Sequence, residues 1–343
     1  MTLADVWFVL IAVLWMMFFV LEGFDYGVGM NLPVVSRSDT ERRVVVNTIG
    51  PVWDGNEVWL LVAGAAIFAA FPEWYAALFS ALYIPLTVLV IALVLRGVAF
   101  EYRGKRDDSA WRARWDVAIV IGSTLPPLLL GVAFANIVRG LPIDADHQYT
   151  GTVLTGLNPY GLLGGVTVLA VCFFLGAAYL ALKTGGEVRE RARGSARIGG
   201  AVAAVLAVAF LLWTQWEHGD VASAVLIVLG ALALLGSLWF VQQGRDGVAF
   251  SAAAAAMALT VVALFVVVYP TVLPSTLDPA FDLTVENASS TDYTLTIMTW
   301  VAVPMTPLVL LYQGWSYWVF RRRLTVERIP PAVYAGHPDA PRE

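Results

Sequence analysis

Residues 50–61 read GPVWDGNEVWLL and put Asp54 and Glu57 into an otherwise apolar run. A carboxylate in hydrocarbon is costly unless it is paired, solvated or protonated. Three residues apart, these two fall on one side of a helix. The run that holds them, 46–71, is long enough to cross a bilayer, which takes ~20 apolar residues. Eight more such runs flank it, at 6–30, 75–100, 116–138, 159–182, 197–214, 221–241, 248–269 and 294–320. Of the 343 residues, 59% are hydrophobic and 14% charged. That composition belongs to an all-α, polytopic membrane protein, here with nine transmembrane helices, and not to a soluble enzyme or a nucleic-acid binder. The first run is too long for a signal peptide's apolar region and has no basic lead, so it reads as a retained span.

The basic residues orient the spans. Nineteen of the 21 Lys and Arg fall in the connections after spans one, three, five and seven or in the C-terminal tail. The exceptions are Arg139 on the opposite side and Arg96 near the end of span three, while the opposite side is acidic. The positive-inside rule then places the N-terminus outside and the C-terminus in the cytoplasm, which an odd number of spans requires. Trp7, Trp74, Tyr75, Trp111, Trp115, Trp213, Trp216 and Trp318 mark span ends as interfacial anchors. Prolines inside spans free carbonyls, and Pro126–Pro127 is the expected strong kink.

Metal and haem chemistry find no ligands in the spans. His147 and His218 fall in outer loops and His337 in the tail. A membrane haem takes an axial His or Met, and the in-span methionines, without a histidine partner, read as packing. Cys172, the single cysteine, excludes an internal disulfide and reads as a core residue. No CxxC, phosphate loop or nucleophile motif is present. No cofactor is expected on this chain's own ligands.

The acids form a pattern. Counted from Phe71 at ~1.5 Å per residue, Glu57 lies ~21 Å and Asp54 ~25 Å into its span. Asp25 lies ~30 Å from the start of span one, with Glu22 a turn shallower. Glu101 and Asp116 sit at the cytoplasmic ends of spans three and four, and Arg96 lies a turn inward of Glu101. Four consecutive spans thus carry acids in one half of the membrane. The functional reading is a proton path running from Asp116 and Glu101 past Asp25 to Asp54 and Glu57, since buried carboxyl groups can both bind and release a proton near neutral pH. The structural reading has Arg96 pairing with Glu57 or Glu101, Asp54 capping backbone donors near Gly50–Pro51, and Asp25 satisfying loosened backbone in the Gly-rich GFDYGVG stretch. One arginine cannot neutralise five acids, which favours the path for the cluster as a whole.

Several motifs now stand in order: GFDYGVGM (23–30), DTERR (39–43), GPVWDGNEVWLL (50–61), FPEWYA (71–76), LRGVAFEYR (95–103), WDVAIVIGSTLPPLLLGVAFAN (115–136), LNPYGLLGG (157–165) and MTWVAV (298–303). Together they resemble subunit II of the cytochrome bd quinol oxidases, densely up to about residue 165 and thinly from about 190 to 265. The resemblance implies two four-helix bundles plus a peripheral helix. Applied here, that gives a first bundle over 1–140, a second over 157–270, an outer loop over 271–293, the ninth helix over 294–322 and a disordered cytoplasmic tail over 323–343. It further implies a bacterial plasma-membrane complex that oxidises quinol and reduces dioxygen to water. The haems would belong to the partner, subunit I, with a structural quinone and a small accessory subunit known in some members. Asp54, Asp25 and the acid of FEYR, Glu101, match the family's proposed proton route, with Glu standing where some relatives have Asp. Two other readings stand beside this one: a proton-coupled secondary transporter, which should show symmetric pairs of broken helices, and a purely structural scaffold subunit.

Overall fold

The computed structural model describes residues 2–329. Eleven α-helices dominate: α1 (Leu3–Val35), α2 (Asp39–Ile49), α3 (Trp53–Ala70), α4 (Pro72–Ala81), α5 (Tyr83–Tyr102), α6 (Ser109–Arg139), α7 (Pro159–Lys183), α8 (Gly186–His218), α9 (Val221–Gln242), α10 (Asp246–Val268) and α11 (Asp292–Val319). Helix starts follow local chemistry. Thr2 with Asp5, Ser38 with Glu41 and Asp220 with Ser223 close reciprocal capping boxes. Eight of the described helices are long and apolar enough to cross a membrane, or nine if α2 and α3 count as one bent span.

Two of the expected spans are broken. The run 46–71 is divided at Gly50–Val52, where α2 and α3 meet at 45°. Pro51 explains the break, because it has no N–H to donate to the preceding turn; Val52, just after it, is the residue that leaves helical geometry. The run 75–100 divides at Leu82 into α4 and α5. By contrast, α6 runs unbroken through Pro126 and Pro127, and α1 continues past GFDYGVG to Val35, so that stretch is helix interior and not a loosened end.

Helix α1 is the hub: it packs on α3, α6, α7 and α10, and from Glu22 to Leu32 every residue is buried. Its closest approach is to α7. A Cβ placed on Gly27 would lie 1.9 Å from the Cys172 carbonyl oxygen, and one on Gly176 2.0 Å from the Gly27 carbonyl carbon. The two backbones therefore touch, as small residues allow in membrane helix pairs. Phe134 of α6 packs edge-on against Trp15 and Phe19 at 4.8 and 4.9 Å between ring centres. At the other extreme, α11 buries only Leu295, and the Trp7 indole ties it to α1 by donating to the Leu295 carbonyl and Thr299 hydroxyl at 3.3 and 3.1 Å.

The sequence shows no sign of strands, yet the acidic end carries a small hairpin, β1 (Thr271–Leu273) with β2 (Leu283–Thr284), bridged through Ser275 to Leu141. At the basic end Asp246 draws in Arg189 and Arg193 of α8 at 2.5 and 2.8 Å. Residues 323–329, expected within a disordered tail, are instead built in: Leu324 bridges Thr184, and Val326–Arg328 form a short 3-10 helix. The remainder of that tail, 330–343 with His337 and Arg342, lies outside the described residues.

Candidate functional site

Four helices converge on one guanidinium. Arg96 of α5 is wholly buried, and its Nη1 donates to Glu22 of α1, also wholly buried. Glu57 of α3 approaches the same nitrogen at 3.8 Å, with a quarter of its side chain exposed. The guanidinium carbon stands 4.8 Å from the Tyr26 ring centre and 5.3 Å from that of Phe100, so two π-faces take up part of its charge. Gly122 of α6 makes the pocket possible, because a Cβ there would come within 2.5 Å of the Arg96 Cβ.

Asp25 lies one helical turn from Glu22 and is equally buried. Its Oδ2 accepts from the Asn56 amide at 2.6 Å. The Asn56 carbonyl oxygen in turn accepts from Gln313 Nε2 and the Tyr317 hydroxyl of α11, both at 2.8 Å. So α1, α3 and α11 are joined by one polar chain inside an apolar bundle. Such a chain is stable only if its groups are matched.

A second ion cluster sits at the basic end. Asp116 accepts from Arg103 Nε at 2.6 Å and lies 3.6 Å from Arg42. Arg103 also reaches Asp39 at 2.8 Å, and Arg112 approaches Asp39 at 3.4 Å. These acids and guanidiniums are partly hydrated, which lowers the desolvation cost of so many charges in one place.

The structure brings Asp25, Glu57 and Arg96 together, leaves Asp54 beside Glu57 on the outer side of α3, and separates Glu101 and Asp116 from them. Asp54 is exposed on the first turn of α3, at the opposite end of that helix from Phe71. No side-chain cap closes this end of α3. Glu101 is exposed at the end of α5 and is not the partner of Arg96. The fully buried acid beside Arg96 is Glu22, which the depth count placed near Asp25 without giving it a role. Asn56, Gln313 and Tyr317 were missed. Their signal was a carboxamide or a phenol at helical positions facing a known acid.

The described histidines lie outside the Arg96 cluster. His147 sits at the acidic end, 2.8 Å from Glu73, and His218 is beside Glu217. Among the described residues no group of three or more His, Cys, Asp or Glu side chains could hold a metal ion.

Comparison with known proteins gives a consistent picture. The profile of the family described as "Cytochrome bd terminal oxidase subunit II" matches residues 3–320. Cytochrome bd ubiquinol oxidase subunit 2 of Bacillus subtilis (strain 168) is 44% identical over 330 residues, covering 94% of this chain and 97% of the relative. Cytochrome bd-I ubiquinol oxidase subunit 2 of Escherichia coli (strain K12) is 36% identical over 362 residues, covering 94% and 96%. Among solved structures, a chain of the bd oxidase from Geobacillus thermodenitrificans superposes with a TM-score of 0.76 at 18% identity, over 93% of this chain and 99% of that one, which speaks to the fold.

Proposed function

Because the chain belongs to the cytochrome bd terminal oxidase subunit II family, we propose that it supplies the proton path of a quinol oxidase whose haems are carried by a partner subunit. The complex is a respiratory terminal oxidase that reduces oxygen. A self-contained proton-coupled transporter is not favoured by this membership.

The observation that carries the reading is the buried cluster itself. Glu22 and Asp25, wholly buried, and Glu57, partly exposed, share a single guanidinium, Arg96. A buried carboxylate left uncompensated there would cost several kcal/mol, a large share of what holds a fold together, so the cluster is suited to hold a proton. A site suited to hold a proton, built on the polar chain Asp25–Asn56–Tyr317, suits proton transfer better than scaffolding. Asp116, with Arg103 and Arg42, is the uptake mouth at the basic end, and Glu101 adds negative charge beside it. Asp54 and the exposed part of Glu57 are the exit. They lie on a face of α3 flanked by the thinly covered α5 and α11, where an exposed carboxylate among apolar side chains calls for a polar partner surface. We place subunit I against this face and lipid along the remaining apolar surfaces. The basic end is assigned to the cytoplasm, with the N-terminus outside, on the distribution of Lys and Arg.

A quinone in this chain would suit the apolar cavity of ~430 Å³ lined by Trp15, Phe68, Trp74, Tyr75, Phe134 and Phe265. Its walls fit an isoprenoid tail and offer little to a redox-active head group, which agrees with a structural role.

Neutral isosteres test the path. Asp25→Asn and Asp54→Asn should each leave the assembled complex and its haem spectrum intact while lowering oxygen reduction roughly 10- to 100-fold. Unchanged turnover and proton uptake in both would sink the path. Loss of the assembled complex would favour the scaffold reading.

A further inference from the structure

The proposed path leaves a gap: Asp116 and the Glu22–Asp25 pair lie in different layers of the bundle, and no ion pair joins them. Ser123 of α6 stands in that interval. It is seven residues from Asp116, two turns along the same helix face and ~10 Å further in. Its hydroxyl is fully buried and has no hydrogen-bond partner among the described residues.

That is unusual for a helical hydroxyl. Such groups commonly bond back to the carbonyl one turn earlier, as the neighbouring Thr124 does to Val120 at 2.7 Å. Ser123 forgoes that bond and turns toward α1, where Gly29 makes room: a Cβ on Gly29 would come within 2.0 Å of the Ser123 oxygen. Glu22, Tyr26 and Gly29 follow at i, i+4 and i+7 on α1, so one stripe of that helix carries the acid, the phenol and the gap.

Six further unpartnered atoms belong to the cluster around Arg96. Among the described residues, buried side-chain atoms without a partner include Glu22 Oε2, Asp25 Oδ1, Tyr26 Oη, Glu57 Oε2, and Nε and Nη2 of Arg96. Each such atom, left bare, is costly to bury. Native proteins meet this cost with bound water when several polar atoms converge. Here donors and acceptors from four helices do converge.

We propose that Ser123 is a proton-relay residue, its hydroxyl and that of Tyr26 binding water that links the Asp116 cluster to the Glu22–Asp25 pair. Glu22, fixed by Arg96, is the positioning residue that holds this water against Asp25. Each water, and the Ser123 hydroxyl, accepts one proton and gives up another, so nothing is consumed and the proton ends on the carboxyl pair. The relay rests on the proton-path reading above.

The test uses the intact oxidase with three variants: Ser123→Ala, Thr124→Val and Asp25→Asn. Ser123→Ala removes one atom from a crowded contact and should assemble with a normal haem spectrum. Its proton uptake during oxygen reduction should slow roughly tenfold, with a raised solvent deuterium isotope effect that a packing role would not produce. Thr124→Val, which loses a locally satisfied hydroxyl, should match the parent in both. If Ser123→Ala matches the parent while Asp25→Asn is slow, the relay is wrong and the path stands. If Asp25→Asn is also unaffected, both fall. A Ser123→Ala complex that fails to assemble would overturn the relay in favour of packing.

Discussion

Arg96→Leu should abolish accumulation of the assembled oxidase. Glu22 touches the guanidinium and is wholly enclosed, so the variant leaves a buried carboxylate without its cation. Breaking a buried pair by removing one partner costs about 3–5 kcal/mol, a large share of the ~5–15 kcal/mol that holds a domain together. Asp25 and Glu57 aggravate the loss, since both face the same cation. The double variant Glu22→Leu with Arg96→Leu should recover assembly, because a well-packed apolar pair is neutral or better than the ion pair by about 1–4 kcal/mol. The check is the yield of haem-bearing complex and its thermal midpoint. A single Arg96→Leu variant that assembles normally would show that the pair does not hold the bundle. The recovered double variant should still turn over slowly, since it lacks the group that positions Asp25.

Gly176→Ala should be as damaging, for a reason with no charge in it. The added methyl group would meet the Gly27 backbone at 2.0 Å. Backbone cannot swing aside as a side chain does, so α1 and α7 must separate along their whole contact. Overpacking a tight core costs about 1–3 kcal/mol and more where nothing can give way. Separating the helices also disturbs the Phe24–Tyr179 stack at 4.2 Å and the Tyr179 hydrogen bond to the Thr48 carbonyl at 3.1 Å. Gly194→Ala is the contrast. Nothing lies within 4 Å of its Cβ position, and Gly to Ala inside a helix is worth about 0.5–1 kcal/mol in the opposite direction. Complex yield and thermal midpoint of the two variants should therefore move apart. Equal behaviour would mean that the α1–α7 contact is looser than the structure has it.

Hydropathy made the long helices legible, because an apolar run of bilayer length is rarely anything but a membrane helix. It could not place the break at Gly50–Val52, since both sides of the bend are apolar enough to pass as one span. The GP dipeptide carried that information, and reading it as a helix boundary would have moved Asp54 to the first turn of α3. The acids were legible one by one, as charges where charges are costly. Their grouping was not, because sequence gives depth along a helix and not which way a side chain faces. Glu22 shows this best. It was noted beside Asp25 in depth, while its partner Arg96 was matched to Glu57 or Glu101. Only the packing of α5 on α6 through Gly122, with α6 also against α1, brings Glu22 to the guanidinium. Asn56, Gln313 and Tyr317 stayed hidden because they are uncharged, and a neutral polar residue in a span draws attention only once its neighbour is known. The hairpin near residues 271–284 was hidden because three-residue strands leave no pattern.

The most direct measurement is side-resolved proton uptake by the oxidase in sealed vesicles, followed with a pH-sensitive dye as reduced enzyme meets oxygen. With Asp25→Asn, uptake from the side carrying the basic connections should slow roughly 10- to 100-fold while electron transfer to the haems keeps its parental rate. Parental uptake from that side in Asp25→Asn would contradict a proton path through this subunit.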